Sequence, residues 1–534
     1  MSHQQVKGGA DQARTDQSRS NQIPSVKVAI IGTGFSGLCM GIKLLEAGID
    51  SFVLLEKKTD IGGTWRDNTY PGCACDVQSH LYSYSFEGNP EWSKVFSGWK
   101  EIQDYTNHCA TKYGLRKYVH SGFEVASAIF DEHLGEWTLT SRDGQQVRAQ
   151  TFVMGTGPLH VPAKPNIPGL ESFKGEVFHS AEWNHDFDMK GKRVASIGTG
   201  GSAIQYVPEI APDVDQLYVY QRTAAWVLPR NERAYTGVEK WLFRNAPGVR
   251  KLYRSMLYWM NESRLLPILN PTVASVFSKV AKLHIRKYIK DPELRAKLTP
   301  DYTIGCKRIL ISNKYLPTFN RSNVELITDG IQEVGEDHIV TRDGKKRDID
   351  AIILGTGFQA DPRNYLKDFV IQGRDGKTLL DEWKEGAEAY FGMTVKGFPN
   401  MFQLVGPNTG LGHNSVIFMI ESQVHYVIEC LKKMKTKNAQ TMEVKPEIQT
   451  QFNEWIQNGL KNTVWSSGCA SWYIQDNGKN FTIWPGSTWR YRLKTRSVPE
   501  TSFVWKSLSQ LPEKIIEEGA VKADASDTPL AAAQ

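Results

Sequence analysis

A run of eighteen apolar residues is missing from the 534-residue chain, and no apolar segment of signal-peptide length precedes Ile23, so the sequence predicts neither a membrane span nor export. Cysteine is sparse. The seven residues, at 39, 73, 75, 109, 306, 430 and 469, are an odd number scattered over a long chain, which argues against a disulfide framework and for a reducing, cytoplasmic setting. Cys73-Ala74-Cys75 lacks the two-residue spacer and the second pair of a zinc site, so no metal is expected. A surplus of one charge is also missing: 64 Lys and Arg against 58 Asp and Glu is too even a balance to point to nucleic acid. With 40% hydrophobic and 23% charged residues, the composition is that of a folded, water-soluble protein and excludes a collagen-like or wholly disordered chain.

What is present is uneven along the chain. At about 150 residues per domain the length predicts three or four domains. Residues 1–22 and 519–534 are polar or Ala/Asp-rich and read as tails. Between them, Val26 to Ile31 reads as a buried strand, Leu38, Ile42, Leu44 and Leu45 fall on a helical period that closes at Gly48, and Phe52 to Leu55 is the next strand. This is a βαβ unit. A second copy runs from Arg193 through a Gly-rich turn to Tyr220, and further apolar strands end in Gly155-Thr156-Gly157 and Gly355-Thr356-Gly357. From 226 to 300 the pattern changes to long-period helices carrying Leu242, Leu252, Met256 and Trp259. Between Arg244 and Lys297 twelve basic residues meet three acidic ones, more than the surplus of the whole chain. Two readings stay open for that stretch, a solvated helical face or a peripheral contact with an anionic membrane surface.

Both βαβ units carry a dinucleotide fingerprint. In Gly32-x-Gly34-x-x-Gly37, with Phe35 and Ser36 in the turn, the glycines permit a tight turn and bring backbone N–H groups to a pyrophosphate at a helix N-terminus. Glu56 follows nineteen residues after Gly37, where a carboxylate accepts hydrogen bonds from ribose hydroxyls. The second fingerprint is Gly198-Thr199-Gly200 with Ser202, Ala203 and Gln205. At the same offset it carries Arg222 and Thr223. A carboxylate repels a 2′-phosphate and a guanidinium binds it, so the first site is expected to take FAD or NAD and the second NADP.

The residues after Glu56, Gly62-Gly63-Thr64-Trp65 through Tyr70-Pro71-Gly72 to Asp76, are similar to the long signature of the Baeyer–Villiger monooxygenases, class B flavoprotein monooxygenases. Phe173-x-Gly175-x-x-x-His179-x-x-x-Trp183 resembles that family's short fingerprint, although Asn184 follows where Pro or Asp is usual. Cys306-Lys307-Arg308 resembles the segment with the active-site arginine, and Gly406-Pro407-Asn408-Thr409-Gly410 and Trp484-Pro485-Gly486 look most like the 4-hydroxyacetophenone and broad-range ketone branch. The resemblance implies an α/β fold of two Rossmann-like domains, for FAD and NADP, with a helical insertion. The expected boundaries are FAD 23–155 and 389–518, NADP 156–225 and 301–388, insertion 226–300.

It further implies a monooxygenase that uses FAD, NADPH and dioxygen to convert a small apolar ketone to an ester or lactone through a peroxyflavin. Arg308 is the cation beside the flavin and Asp76 the carboxylate that orients it, since an unpaired cation in a dry site is costly. Lys307 joins Arg222 and Thr223 at the 2′-phosphate, Trp65 and Tyr82 pack near the flavin, Val125 and Val416 give main-chain contacts to FAD, and His179 serves a hinge. The alternatives are a flavin-containing monooxygenase that oxidises sulfur or nitrogen or hydroxylates an alkane, a pyridine-nucleotide disulfide reductase, for which Cys73 and Cys75 have the wrong spacing, and a non-catalytic FAD-binding protein.

Overall fold

Val26 to Ile31 is apolar without a helical period, and it forms the middle of a parallel sheet. In the computed structural model, which describes residues 23–468 and 471–513, strand Ser25–Ile31 pairs in parallel with Phe52–Glu56 on one side and Gln146–Met154 on the other. Both faces are covered from Val28 to Ile31, as a central parallel strand requires. Helix Phe35–Glu46 makes the crossover and ends where Gly48 takes φ 71°. The sheet continues through Val119–Ser121 at one edge and, at the other, through Glu136–Ser141 and Val125–Asp131 to Val370–Gln372, while Met401–Gln403 pairs beside Gln146–Met154. Helix Val416–Thr436 then packs on helix Phe35–Glu46.

A second sheet of five parallel strands runs Val324–Ile327, Gln216–Tyr220, Arg193–Ile197, Ala351–Leu354, Glu176–His179, and helix Ala203–Ile210 follows its central strand. Between Tyr220 and Val324 the chain leaves this sheet for the helices Gly237–Asn245, Pro247–Ser263, Leu265–Leu269, Pro271–Tyr288 and Pro292–Lys297. The fold is therefore α/β, two Rossmann-like sheets with a helical insertion in the second. The return to the first sheet comes before the expected boundary at 388/389, because Val370–Gln372 already pairs with Val125–Asp131. Three edge residues are too short a pattern to announce themselves. The expected tails, 1–22 and 519–534, lie outside the described residues. Among the described residues no helix is long and apolar enough to cross a membrane.

Candidate active site

The two fingerprint turns are built alike. Gly32 has φ 94°, and a Cβ there would stand 2.8 Å from the Gly155 carbonyl oxygen; Gly198 has φ 108°, and its Cβ would stand 2.4 Å from the Gly355 oxygen. Each turn thus packs against the glycine that closes a distant strand, which explains the Gly-Thr-Gly pairs at 155 and 355. Gly37 brings its helix onto the turn itself, since a Cβ at 37 would be 1.9 Å from the Gly32 oxygen.

Above the first turn opens a cavity of about 590 Å³, within the range of cofactor and ligand sites. It gathers Gly32, Gly34, Phe35, Ser36, Glu56, Gly63, Thr64, Trp65, Tyr82, Val125, Val416 and Arg308 into one wall, whereas Gly37 lies beneath it in the helix contact. Gly63, at φ 56°, leaves room that a side chain would take: its Cβ would be 3.0 Å from the Gly34 Cα. Helices Phe35–Glu46 and Val416–Thr436 both begin at this wall with no side-chain cap and no carboxylate in the first turn. Their free N–H groups make an anion site of the kind a pyrophosphate occupies. Gln403 lines the cavity with its buried Nε2 unpartnered among the described residues, and the indole of Trp65 donates to the Tyr82 hydroxyl at 3.2 Å. These features fit a flavin dinucleotide.

Arg308 donates from Nε (3.1 Å) and Nη2 (2.5 Å) to the same oxygen of Asp76, Oδ2. The Asp76 charge and these bonds push the guanidinium further up from its already high range, against the opposing effect of burial. Burial also opposes ionisation of Asp76, yet Arg308, by charge and by hydrogen bond, with Arg230 behind it, holds the carboxyl below the usual carboxylate range. Both groups stay charged at neutral pH. The Arg308 side chain remains 46% accessible and lines the cavity, with Nη1 making no hydrogen bond among the described residues.

On the second sheet, a Cβ placed on Gly200 would meet no atom within 4 Å, so the backbone there is open to a ligand. Ser202 and Ala203 start helix Ala203–Ile210, and Thr199 ties the turn to the loop after strand Gln216–Tyr220 by donating to the Thr223 carbonyl at 3.2 Å. Arg222 is exposed, and neither it nor Lys307 has an ion-pair partner among the described residues. Burial first, and the Arg222 charge second, hold the Lys307 ammonium below the ordinary lysine range. Two uncompensated cations close enough to repel one another make a ready phosphate site.

Residues 25–385 match the family described as flavin-binding monooxygenase-like. A Baeyer–Villiger monooxygenase of Pseudomonas aeruginosa is 50% identical over 483 residues, covering 89% of this chain and 91% of that protein. The chain belongs to the Baeyer–Villiger monooxygenase family. Among solved structures, an oxidized steroid monooxygenase bound to NADP superposes with a TM-score of 0.82 at 30% identity, covering 90% of this chain and 100% of that one. OTEMO in complex with FAD and NADP gives 0.82 at 28% identity, covering 91% and 100%.

Within that family frame, several residues do other work than the sequence announces. Glu56 is buried, and its acceptor positions are filled by Thr33 N–H (3.1 Å) and O–H (2.5 Å), Lys58 N–H (3.0 Å) and Arg66 Nη1 (2.9 Å), so a ribose hydroxyl would have to exchange with one of these donors. The motifs do not single out Arg66; its place three residues after Gly63 is the one signal for it. Gln205 is engaged by the long signature. Its carboxamide accepts from the Tyr70 hydroxyl and the Ala74 N–H and donates to the Ala74 carbonyl, which ties the long signature to the second fingerprint helix. His179 ends an edge strand and accepts the Ala181 N–H, a hydrogen-bonding place of the kind expected of it, and burial lowers its pKa. Asn184 performs the turn duty of an Asp, accepting the Asp186 N–H at 3.0 Å. Cys39, Cys73, Cys75, Cys109 and Cys430 are buried free thiols, and Cys306 is disulfide-bonded.

Proposed function

We propose that the chain binds FAD in the cavity over the first sheet and NADPH on the second, and with dioxygen converts a small apolar ketone into an ester or lactone. The observation that carries this reading is Arg308 in the wall of the flavin-sized cavity, held from behind by its ion pair with Asp76. Bound NADPH supplies the hydride, and bound FAD the activation of dioxygen. The chain supplies the rest. Arg308, charged at any physiological pH and lining the cavity, stabilises negative charge there on the oxygen reagent and on the former carbonyl oxygen. Asp76 positions it, and by gripping only one edge of the guanidinium leaves the other for substrate. Arg222, Thr223 and Lys307 hold the 2′-phosphate. Leu411, Ile420, Trp472 and Phe481 add apolar surface that suits an apolar ketone and excludes water. The 4-hydroxyacetophenone and broad-range branch, a cytoplasmic location supported by the five free thiols, and peripheral contact of the basic insertion with an anionic membrane belong to the same reading.

Arg308→Ala tests it. NADPH should still bleach the flavin under anaerobic conditions, while ester from a methyl ketone falls by roughly a hundredfold or more. Ester formation at the wild-type rate would remove Arg308 from its role, and oxidation of a thioether with no ester from any ketone would reverse the choice of substrate class.

A further inference from the structure

Helix Pro247–Ser263 is amphipathic in the inverted sense. It buries Leu257 with the polar Asn261 and Glu262, and turns Val249, Leu252, Met256, Trp259 and Met260 outward along one stripe of helical spacing. Leu252 is 72% exposed, Met256 53% and Trp259 56%. Helix Pro271–Tyr288 repeats the arrangement, with Ala274, Ala281 and Ile285 inside and Val276, Phe277, Val280 and Leu283 outside. Single exposed apolar residues need no explanation, but thirteen of the twenty-two large ones exposed in the described chain fall between 238 and 283.

The charge on this face selects its occupant. Between Arg244 and Lys290 the one acidic residue is Glu262, and it is buried. Lys251, Lys279, Lys282, Arg286, Lys287 and Lys290 have no ion-pair partner among the described residues. A second copy of the chain, meeting this face about a two-fold axis, would set these cations against their own mates. Large apolar side chains interleaved with lysine and arginine on helices without an outward carboxylate match an anionic lipid surface.

The geometry points to a monotopic membrane-docking face: the outward stripes of helices Pro247–Ser263 and Pro271–Tyr288 insert at the headgroup boundary of an anionic bilayer. The inward side of the same helix holds the cavity loop, Glu262 accepting from Asn414 at 2.6 Å two residues before cavity-lining Val416. Docking therefore brings the substrate cavity to the layer in which an apolar ketone dissolves. That delivery step rests on the proposed ketone chemistry; the docking itself does not.

The test is co-sedimentation of the full-length, FAD-loaded chain with vesicles of equimolar phosphatidylcholine and phosphatidylglycerol, and with pure phosphatidylcholine. The anionic vesicles should bind at least about tenfold more protein, and L252S/M256S/W259S and K279E/K282E should each cost about tenfold or more, with flavin content and turnover of a water-soluble ketone unchanged. Should a variant lose its flavin, quenching of wild-type tryptophan fluorescence by brominated lipid in the anionic vesicles reads insertion directly. Wild type that neither pellets nor is quenched, variants that pellet like wild type, or a dimer in sedimentation that L252S/M256S/W259S dissolves would each overturn the proposal. Because pelleting does not read catalysis, failure of the ketone assay leaves this result standing.

Discussion

Removing the Glu262 carboxylate should loosen the insertion from the cavity by an amount that can be worked out from its partners. The group is buried; Oε1 accepts the Thr488 N–H at 2.7 Å, Oε2 accepts Asn414 Nδ2 at 2.6 Å and the Thr488 hydroxyl at 2.8 Å, and His413 Nε2 lies 3.5 Å away. Glu262→Ala orphans three donors, each costing about 1–3 kcal/mol when buried, so about 3–5 kcal/mol is expected once water has entered the gap. Glu262→Gln keeps one acceptor oxygen and faces its new amide toward donors, for about 2 kcal/mol. For a chain this long the midpoint moves by about 1 °C per kcal/mol, or about 3–5 °C for Ala and about 2 °C for Gln. Burial disfavours the charged form, but His413 and Asn414 outweigh it and hold the pKa below 4.5. A depressed folded pKa means the contribution is complete above about 4.5 and drains as pH falls through the folded value. Thermal melts of the flavin-loaded chain, followed by flavin fluorescence at pH 7, pH 5 and pH 4, read both effects. A Glu262→Ala midpoint within about 1 °C of wild type, or a Gln effect already gone at pH 5, would refute the reasoning.

Arg222→Ala should raise the NADPH KM by roughly tenfold or more, with kcat little changed and the preference for NADP over NAD narrowed, because a charged phosphate contact of about 1.5–3 kcal/mol is lost; an unchanged preference in steady-state assays would place phosphate recognition elsewhere. Burial, then Arg222, depress the Lys307 pKa below 10.5, so Lys307 loses its proton earlier on the alkaline side than a free lysine and the NADPH KM should rise there. Arg222→Ala should move that limb to higher pH, and a limb that does not move counts against the coupling. Gly37→Ala forces a methyl to within 1.9 Å of the Gly32 oxygen, so the turn must open by about 1 Å and the protein should purify with little flavin; full flavin absorbance would show that the helix can retreat at no cost.

The fingerprint turns are legible in the sequence because their requirement is local: a positive φ at Gly32 and Gly198 and no Cβ at Gly37 can be written in spacing alone. The partners of a side chain are not local. Nothing within nineteen residues of Glu56 in a linear reading says that Arg66 folds back onto it, and Gln205 turns to Tyr70 and Ala74 because two distant segments pack, not because of its place in the motif. The insertion exposes a deeper limit. A helical period states which residues share a face, never which way the face points: Leu252, Met256 and Trp259 read as one face of a helix, while the side it presents stays hidden. What decides the direction is the other face: Asn261, through Nδ2, and Glu262 are held inward by Gln78, Asn414 and Thr488, so rotating the helix would leave those partners buried and unpaired. The polar residues are thus the anchor and the apolar ones the overhang. The side turned to solvent thus carries the large apolar residues of this segment as well as its charge.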